Sequence, residues 1–485
     1  MSQAEQNSFI DELRARISQM LDTLDPESPI SATVVFKVKP AKESEFIRNA
    51  EALAEATRKL PGCEHFVYQR AIQAGPPSDA IEYAINESWK TVREFKVQWN
   101  SDHLRTFQHS VLDLITELPD LRFYHGSGYV PDEQTAPVPR TGQTKCWSTS
   151  GAFVPCTGSG QDGAIQAGTP WPEPRFIDHG NGTVTDRLTE LIWLKDADYF
   201  REVTWEQALE NVRGLANGKG GLSDGSKKGS WRLPNIREIQ SLIDYSTANP
   251  ILPAGHPFKN VKPGIYWTST SLAASPNLAW MMTLGIGPTV FDLKINDNRM
   301  WPVRDTGSSR VAKTGQKQCW DGLGKPLADC KGSGQDGETQ AGVAPPNPRF
   351  ADNQDGTVTD RLTGLVWLKN ADAFGLRTWD QALAVCNSLA MNPGYGLMDG
   401  SRPGDWRLPN IKEAESLVDY NNVGPSIPQG NPFVNVRPSS YWTSTSVAFA
   451  PTQAMFIIYG VGPAIFENKE HPFFVWPVRN PLPAR

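Results

Sequence analysis

The sequence predicts an α+β protein of about three domains, and three observations carry that prediction. Trp231-Arg232-Leu233-Pro234-Asn235-Ile236-Arg237-Glu238 returns 175 residues later as Trp406-Arg407-Leu408-Pro409-Asn410-Ile411-Lys412-Glu413, so most of the chain is one module in duplicate. The first 130 residues carry instead apolar patterns in the order β-α-β-β-α-β. Sixteen tryptophans with 41 glycines and 39 prolines mark a turn-rich fold with large aromatic anchors.

Composition excludes some functions. With 47 basic against 53 acidic residues and no basic tract, nucleic acid is not an expected partner. No apolar run approaches the roughly 20 residues of a membrane span. Met1 to Leu24 is polar and lacks a cleavable hydrophobic segment, so no signal peptide is read there and a cytoplasmic site is the default.

Residues 1–29 hold an amphipathic helix, with Phe9, Ile10, Leu13, Ile17, Met20 and Leu21 spaced for one face. Residues 30–130 form the next domain. Val34, Phe36 and Val38 alternate in a strand over Ala32 to Lys39, and a helix from Glu43 to Leu60 ends at Pro61-Gly62. Strands follow at Glu64 to Gln73 and Ala80 to Trp89, helical pieces at Thr91 to Trp99 and His103 to Leu118, and a last strand at Leu121 to Val130. That order is the ferredoxin-like split unit. Cys63 reads as a small apolar residue.

With Glu87-Ser88-Trp89 closing the third strand and Trp99-Asn100-Ser101-Asp102-His103-Leu104 in the helix after it, this domain resembles the antibiotic-biosynthesis-monooxygenase family of dimeric α/β barrels. The resemblance implies a homodimer, a pocket between sheet and helices, and for some members oxygenation of quinols or degradation of haem. His103 and Trp89 are the candidate catalytic positions, and His109 is a second imidazole nearby. A histidine titrating near neutrality could take a phenolic proton. A helix histidine could equally be a surface or dimer-contact residue.

Residues 131–140 are rich in proline and read as a linker. The first repeat covers 141–305, a linker 306–313, and the second repeat 314–480. Each begins with a paired-cysteine segment, Cys146 and Cys156 or Cys319 and Cys330, followed by Gly-Ser-Gly-Gln-Asp-Gly. A turn between short strands would bring each pair into bridging range, so a disulfide is expected in each copy. Zinc is disfavoured, because each copy offers two thiols and no histidine cluster. The Gly-Thr-Val-Thr-Asp stretches at 182–186 and 356–360 read as hairpins. Asp352, Asn353, Asp355 and Asp360 also allow a calcium loop, although not at EF-hand spacing.

The helices at Thr204 and Thr378 begin with capping boxes, and Cys386 replaces Val212 on their apolar face. Trp-Arg-Leu reads as a short strand stopped by proline, and Asn with Glu three residues on as another capping box. The helix behind it buries Ile236, Ile239, Leu242 and Ile243. The arginine could pair a buried carboxylate or face a ligand. Tyr-Trp-Thr-Ser-Thr-Ser follows, in which Trp267, Ser269, Trp442 and Ser444 could stack on and bond a sugar, or simply line a half-buried strand. Trp-Pro-Val-Arg closes each copy.

These motifs together resemble the DUF1566 family, the module at the carboxyl end of the Legionella collagen-like adhesin. The resemblance implies α+β, C-type-lectin-like modules, usually exported, with an adhesin member associated with sulfated polysaccharides and self-association. This chain has no collagen stalk, and its near-neutral charge does not favour a sulfated ligand.

The functional expectation is a multivalent binding or assembly protein, dimerised by its first domain and recognising a glycan or protein surface through four modules per dimer. The alternative is a quinol- or haem-directed monooxygenase with the repeats as a targeting arm. No cofactor is predicted, with haem and calcium left open. The paired cysteines favour an exported site. A surface-presenting scaffold should not enclose a cavity lined by converging ionisable groups.

Overall fold

The chain, taken from a computed structural model that describes residues 3–27, 30–70, 80–125 and 135–482, divides into two compact units, Met1–Asp132 and Glu133–Arg485.

The first unit starts with α1 (Gln3–Asp22) and runs through β1 (Ile30–Val38), α2 (Glu43–Thr57), β2 (Cys63–Arg70), β3 (Ile81–Trp89), α3 (Val92–Trp99), α4 (Asp102–Val111) and β4 (Asp120–His125). The sheet order is β2-β3-β1-β4, antiparallel throughout, with Val34 opposite Ile85 and Leu121. This is the ferredoxin-like arrangement expected. The alternation in β1 buries Ile30, Ala32, Phe36 and Val38, and Phe46 and Ala50 of α2 pack over them. Thr91 and Ser101 cap α3 and α4 through bonds from the backbone N–H groups of Glu94 and Leu104. One expectation needs correction: helix α4 ends at Val111 and tightens into a 3₁₀ turn over Leu112–Leu114, well before Pro119. Residues 71–73 and 126–130, expected as strand ends, lie outside the described residues.

In the second unit each repeat builds two arrays of mainly antiparallel strands. In the first copy Phe176–Asp178, Thr183–Asp186, Leu191–Leu194 and Val303–Asp305 form one. Strands Ile265–Ser271, Leu278–Thr283 and Thr289–Leu293 carry the other. The second copy repeats both. The tryptophans are the pins: Trp193 packs on Trp301, and Trp367 on Trp476, all fully buried. Ile236, Ile239, Leu242 and Ile243 are buried as the helical spacing required, on a short helix, Ile236–Ser241. Trp-Arg-Leu is not a full strand, since Arg232 makes only an isolated bridge to Val303.

The two copies are not beads on a string. Each cysteine-bearing leader starts against its own copy, where Thr141 accepts from the N–H of Tyr245 and Thr314 from that of Tyr420. It then clamps onto the other copy. Gln143 bonds both the N–H and the carbonyl of Ser446, at 3.0 and 2.7 Å, and Gln316 does the same to Ser271, at 2.8 and 2.7 Å. Asp162 takes the hydroxyls of Thr141 and of Thr445, and Asp336 those of Thr314 and Thr270. The exchange is reciprocal, residue for residue, as in an isologous dimer. The expected linkers belong to this structure. Ala136 donates its N–H to Leu362 and Arg310 to Thr189, so among the described residues 135–140 and 306–313 are fixed segments and not free tethers.

The Gly-Ser-Gly-Gln-Asp-Gly run is the machinery of the clamp. Gln161 brackets Trp147 by accepting from its N–H and donating to its carbonyl, and Gln335 brackets Trp320 likewise. A Cβ on Gly163 or Gly337 would lie 2.2 or 2.3 Å from the carbonyl oxygen of Lys145 or Gln318, so no other residue fits. The expected disulfides, Cys146–Cys156 and Cys319–Cys330, close each leader.

Gln143→Ala and Gln316→Ala each leave a buried Ser N–H without an acceptor. Each is expected to cost about 1–3 kcal/mol in denaturant unfolding of the full chain. Variants as stable as the parent would show that the leaders are not clamped.

Candidate functional site

Most of the repeated motif proves to be structural. Arg407 forks onto Glu413, its Nη2 2.6 Å from Oε1, and Arg232 onto Glu238 at 2.6 and 2.5 Å. The same carboxylates close the capping boxes, with Asn235 N–H to Glu238 at 2.8 Å and Glu238 N–H to Asn235 at 3.0 Å. The capping asparagines also donate across the exchange, Asn235 to Ala341 and Asn410 to Ala167. Of the two readings of the arginine, the buried carboxylate pair is the one observed.

The sugar-stacking candidates are corrected in the same way. Trp267 and Trp442 are fully buried, and their Nε1 groups donate to the carbonyls of Val203 and Arg377. Ser269 and Ser444 are buried beside them. A side chain inside the core offers no face to a ligand. Trp267 packs among Trp205, Leu209, Val212 and Met300 of its own copy, and the other copy's leader covers the far end of the strand at Ser271.

The calcium candidate also dissolves into separate bonds. Asp352 accepts from Gln354 N–H and from Lys369 at 2.6 Å. Asp355 holds Thr357 through its N–H and hydroxyl. Asp360 takes Arg349 at 2.9 and 2.7 Å, and Asn353 donates to Thr357 and Thr359. Among the described residues no three His, Cys, Asp or Glu side chains converge as a metal site. The hairpin reading is the one observed.

In the first unit a cavity of about 310 Å³ lies between sheet and helices, lined mainly by apolar side chains with Glu87, Arg14 and Gln108. His103 does not line it. Its Nε2 lies 2.7 Å from Gln98 Oε1 and 3.2 Å from Ser101 Oγ, and burial lowers its pKa, with Asp102 opposing. Trp89 is fully buried and donates to Glu87 at 3.0 Å. Burial pushes the Glu87 carboxyl up to about 7, against that bond. The sequence singled out His103 and Trp89, and the ionisable groups that line the cavity are instead Glu87, from the same quoted motif, and Arg14. Cys386 sits in the core, its thiol pushed up by burial.

A second cavity, of about 360 Å³, lies between the two repeats. Its floor is made by the helices Ile236–Ser241 and Ile411–Ser416, which bring Arg237 and Gln240 against Lys412 and Glu415. All four are buried. Arg237 Nη2 donates to the carbonyls of Ser416, at 3.1 Å, and Val418. Lys412 Nζ donates to Ile243 at 2.9 Å, and Gln240 to Glu415 at 2.8 Å. Desolvation brings Lys412 down to about 7 with Arg175 adding to it, and pushes Glu415 up to about 8 against the pull of Lys412 and Arg237. Converging ionisable groups in a cavity between the halves are what the surface-scaffold expectation excluded, so that expectation is corrected here. The duplication was legible, but the meeting of positions 237–240 and 412–415 depends on the exchange.

Glu415 generates a pH prediction. Its folded pKa exceeds the unfolded one, so the folded state keeps a proton that the unfolded chain sheds, and stability falls as pH rises through that window. Glu415→Gln has no such proton to lose. It is expected to gain about 1–3 kcal/mol over the parent near pH 8 and nothing near pH 4, in thermal melts at both pH values. Equal gains at both would refute the buried acid.

Comparison with known families agrees with this architecture. The model of the antibiotic biosynthesis monooxygenase domain matches residues 29–110. No curated protein matches the chain. Among solved structures, the chain is similar to a putative antibiotic biosynthesis monooxygenase from Nitrosomonas europaea, at 21% identity over 21% of this chain and 92% of that one, with a TM-score of 0.18. One from Caulobacter crescentus CB15 is 20% identical over 21% and 93%, with a TM-score of 0.19. A conserved protein from Methanosarcina mazei Go1 is 21% identical over 20% and 93%, with a TM-score of 0.18. The Lcl C-terminal domain model matches residues 182–304 and 356–479, a little over half of the 485 residues. The chain therefore belongs to the Lcl C-terminal domain family, carrying two copies of that domain behind an antibiotic biosynthesis monooxygenase domain.

Proposed function

We propose that this is a binding and assembly protein. Its first domain dimerises it, and its repeat pair acts as one two-lobed, lectin-like recognition body for a glycan or protein surface. The observation that carries this reading is the reciprocal leader exchange, which makes the pair a single rigid presenter with a cleft between its lobes. The dimer then displays two such bodies in place of four independent modules. The motif arginines pair with glutamates and the leader aspartates hold threonines, which leaves the cleft between the lobes as the place where repeat side chains can meet a ligand. The disulfides are compatible with an extracellular site, and among the described residues no helix is long and apolar enough to cross a membrane. The oxygenase alternative loses its proposed base, since His103 is bound to Gln98 and lies off the cavity.

Native mass spectrometry is expected to give a dimer of the 53.5 kDa chain. A glycan and protein array probed with the full chain is expected to give hits, while oxygen uptake with a quinol stays at background. A monomer whose quinol-dependent oxygen uptake disappears in His103→Ala would overturn the proposal.

A further inference from the structure

The cleft between the repeats is where the duplication stops being symmetric. Arg237 and Gln240 of the first copy stand at the positions that Lys412 and Glu415 hold in the second. A purely structural dyad would be served by the same pair twice. We infer that this cleft binds a small monocarboxylate with an apolar aryl or alkyl body. Lys412 and Arg237 receive the carboxylate, and the walls pack on the body. The inference deepens the binding reading above and rests on it.

Three observations carry it. The first is charge. Arg187, Arg237, Arg310 and Lys412 line the cleft with Glu415 as the one acid among the lining residues, while Glu190 behind the rim pairs Arg310 and Asp186 and Asp244 act on Lys412 from outside it. A lining richer in basic than acidic groups favours an anion. The second is spare bonding capacity. Lys412 Nζ makes one hydrogen bond, to Ile243, and an ammonium can donate three. Arg237 Nε is buried without a partner, although the whole side chain is about nine-tenths buried. Such a guanidinium gains most from an anion.

The third observation is the walls. Pro137, Val138, Pro170, Trp171, Val311 and Leu362 enclose about 360 Å³, within the range of small-ligand sites. Trp171 is half-buried, its Nε1 fixed by the Arg140 carbonyl at 3.0 Å, which leaves an oriented ring with the Arg175 guanidinium 4.8 Å and Lys412 Nζ 5.7 Å from its centroid. The walls suit a sugar poorly. The Ser241 and Ser416 hydroxyls at the floor already donate to the carbonyls of Glu238 and Glu413.

The test is calorimetric titration of the full chain with sodium phenylacetate and sodium octanoate. Methyl phenylacetate serves as the neutral arm and sodium glucuronate as the sugar-acid arm. Phenylacetate or octanoate is expected to bind once per chain, with the ester and glucuronate at least about tenfold weaker. Lys412→Met keeps the side-chain length and is expected to weaken binding about tenfold, with near-ultraviolet dichroism confirming its fold. Arg310→Ala, at an exposed rim position, perturbs no packing and is expected to weaken it about two- to threefold, more at low salt. If neither carboxylate binds, if the ester or glucuronate binds as well, or if both variants bind like the parent, the assignment fails. Array binding by the dimer is read separately, so a failed titration with array hits overturns the cleft ligand and leaves the assembly reading standing.

Discussion

The second unit depends on one constraint: neither repeat satisfies the end of its own buried Tyr-Trp-Thr-Ser-Thr-Ser strand. The strand Tyr-Trp-Thr-Ser-Thr-Ser is buried in each copy, and at its end the backbone of Ser271 or Ser446 and the hydroxyl of Thr270 or Thr445 are satisfied by a leader that arrives from the other copy. A buried N–H left without an acceptor costs a large part of what a small module has to spare. The duplication therefore has a physical reason at the level of folding. Asp162 and Asp336 show how finely the contact is set. Each is fully buried, accepts two hydroxyls through Oδ2, and leaves Oδ1 without a partner. Burial raises both to about 6. These carboxyls are tolerated because the threonines on two different copies meet there.

The lysines repeat the logic. Lys469 lies 4.0 Å above Trp379 of its own copy and donates to the Trp147 carbonyl of the other copy's leader. Lys294 sits 3.9 Å above Trp205 and donates to Asp321. Burial works against the charge of both lysines, bringing Lys294 down to about 7 and Lys469 to about 8. The tryptophan face with nearby Asp321 and Glu206, or Asp380, offsets part of that cost while the N–H groups catch the crossing strand. The large number of tryptophans, which composition alone allowed to mean recognition, is explained by such pins.

Local order was legible because it follows from periodicity and caps. Asn235 with Glu238, Thr204 with Gln207, and the Ile236–Ile243 face all behave as their spacing requires. The cysteine pairs were readable for the same reason, each being close in sequence. What was not legible is everything that depends on which copy a segment meets. Gln143 and Ser446 are 303 residues apart, and no local pattern distinguishes docking on one copy from docking on the other, which repeats the same motifs. That single ambiguity explains the apparent linkers and the unforeseen cleft, whereas Trp267 and Trp442 are buried by side chains of their own copies. His103 is a separate case: it was singled out by residue type, and the cavity lining holds Glu87 in its place, a burial that could not be read from the letter.

Fusion of the repeats changes what duplication can be for. Independent modules on a tether gain avidity from effective concentration, which depends on linker length. Here the segments between the copies are themselves docked, so the lobes have a fixed spacing and no tether to tune. Their shared surface is free to diverge, because a change at one position no longer has to be repeated at its twin. The floor shows that divergence as Arg237 against Lys412 and Gln240 against Glu415, four unlike groups where strict symmetry would place two kinds. An asymmetric floor on a nearly symmetric frame can hold one ligand in one orientation. A symmetric floor would offer every unsymmetrical ligand two equivalent poses.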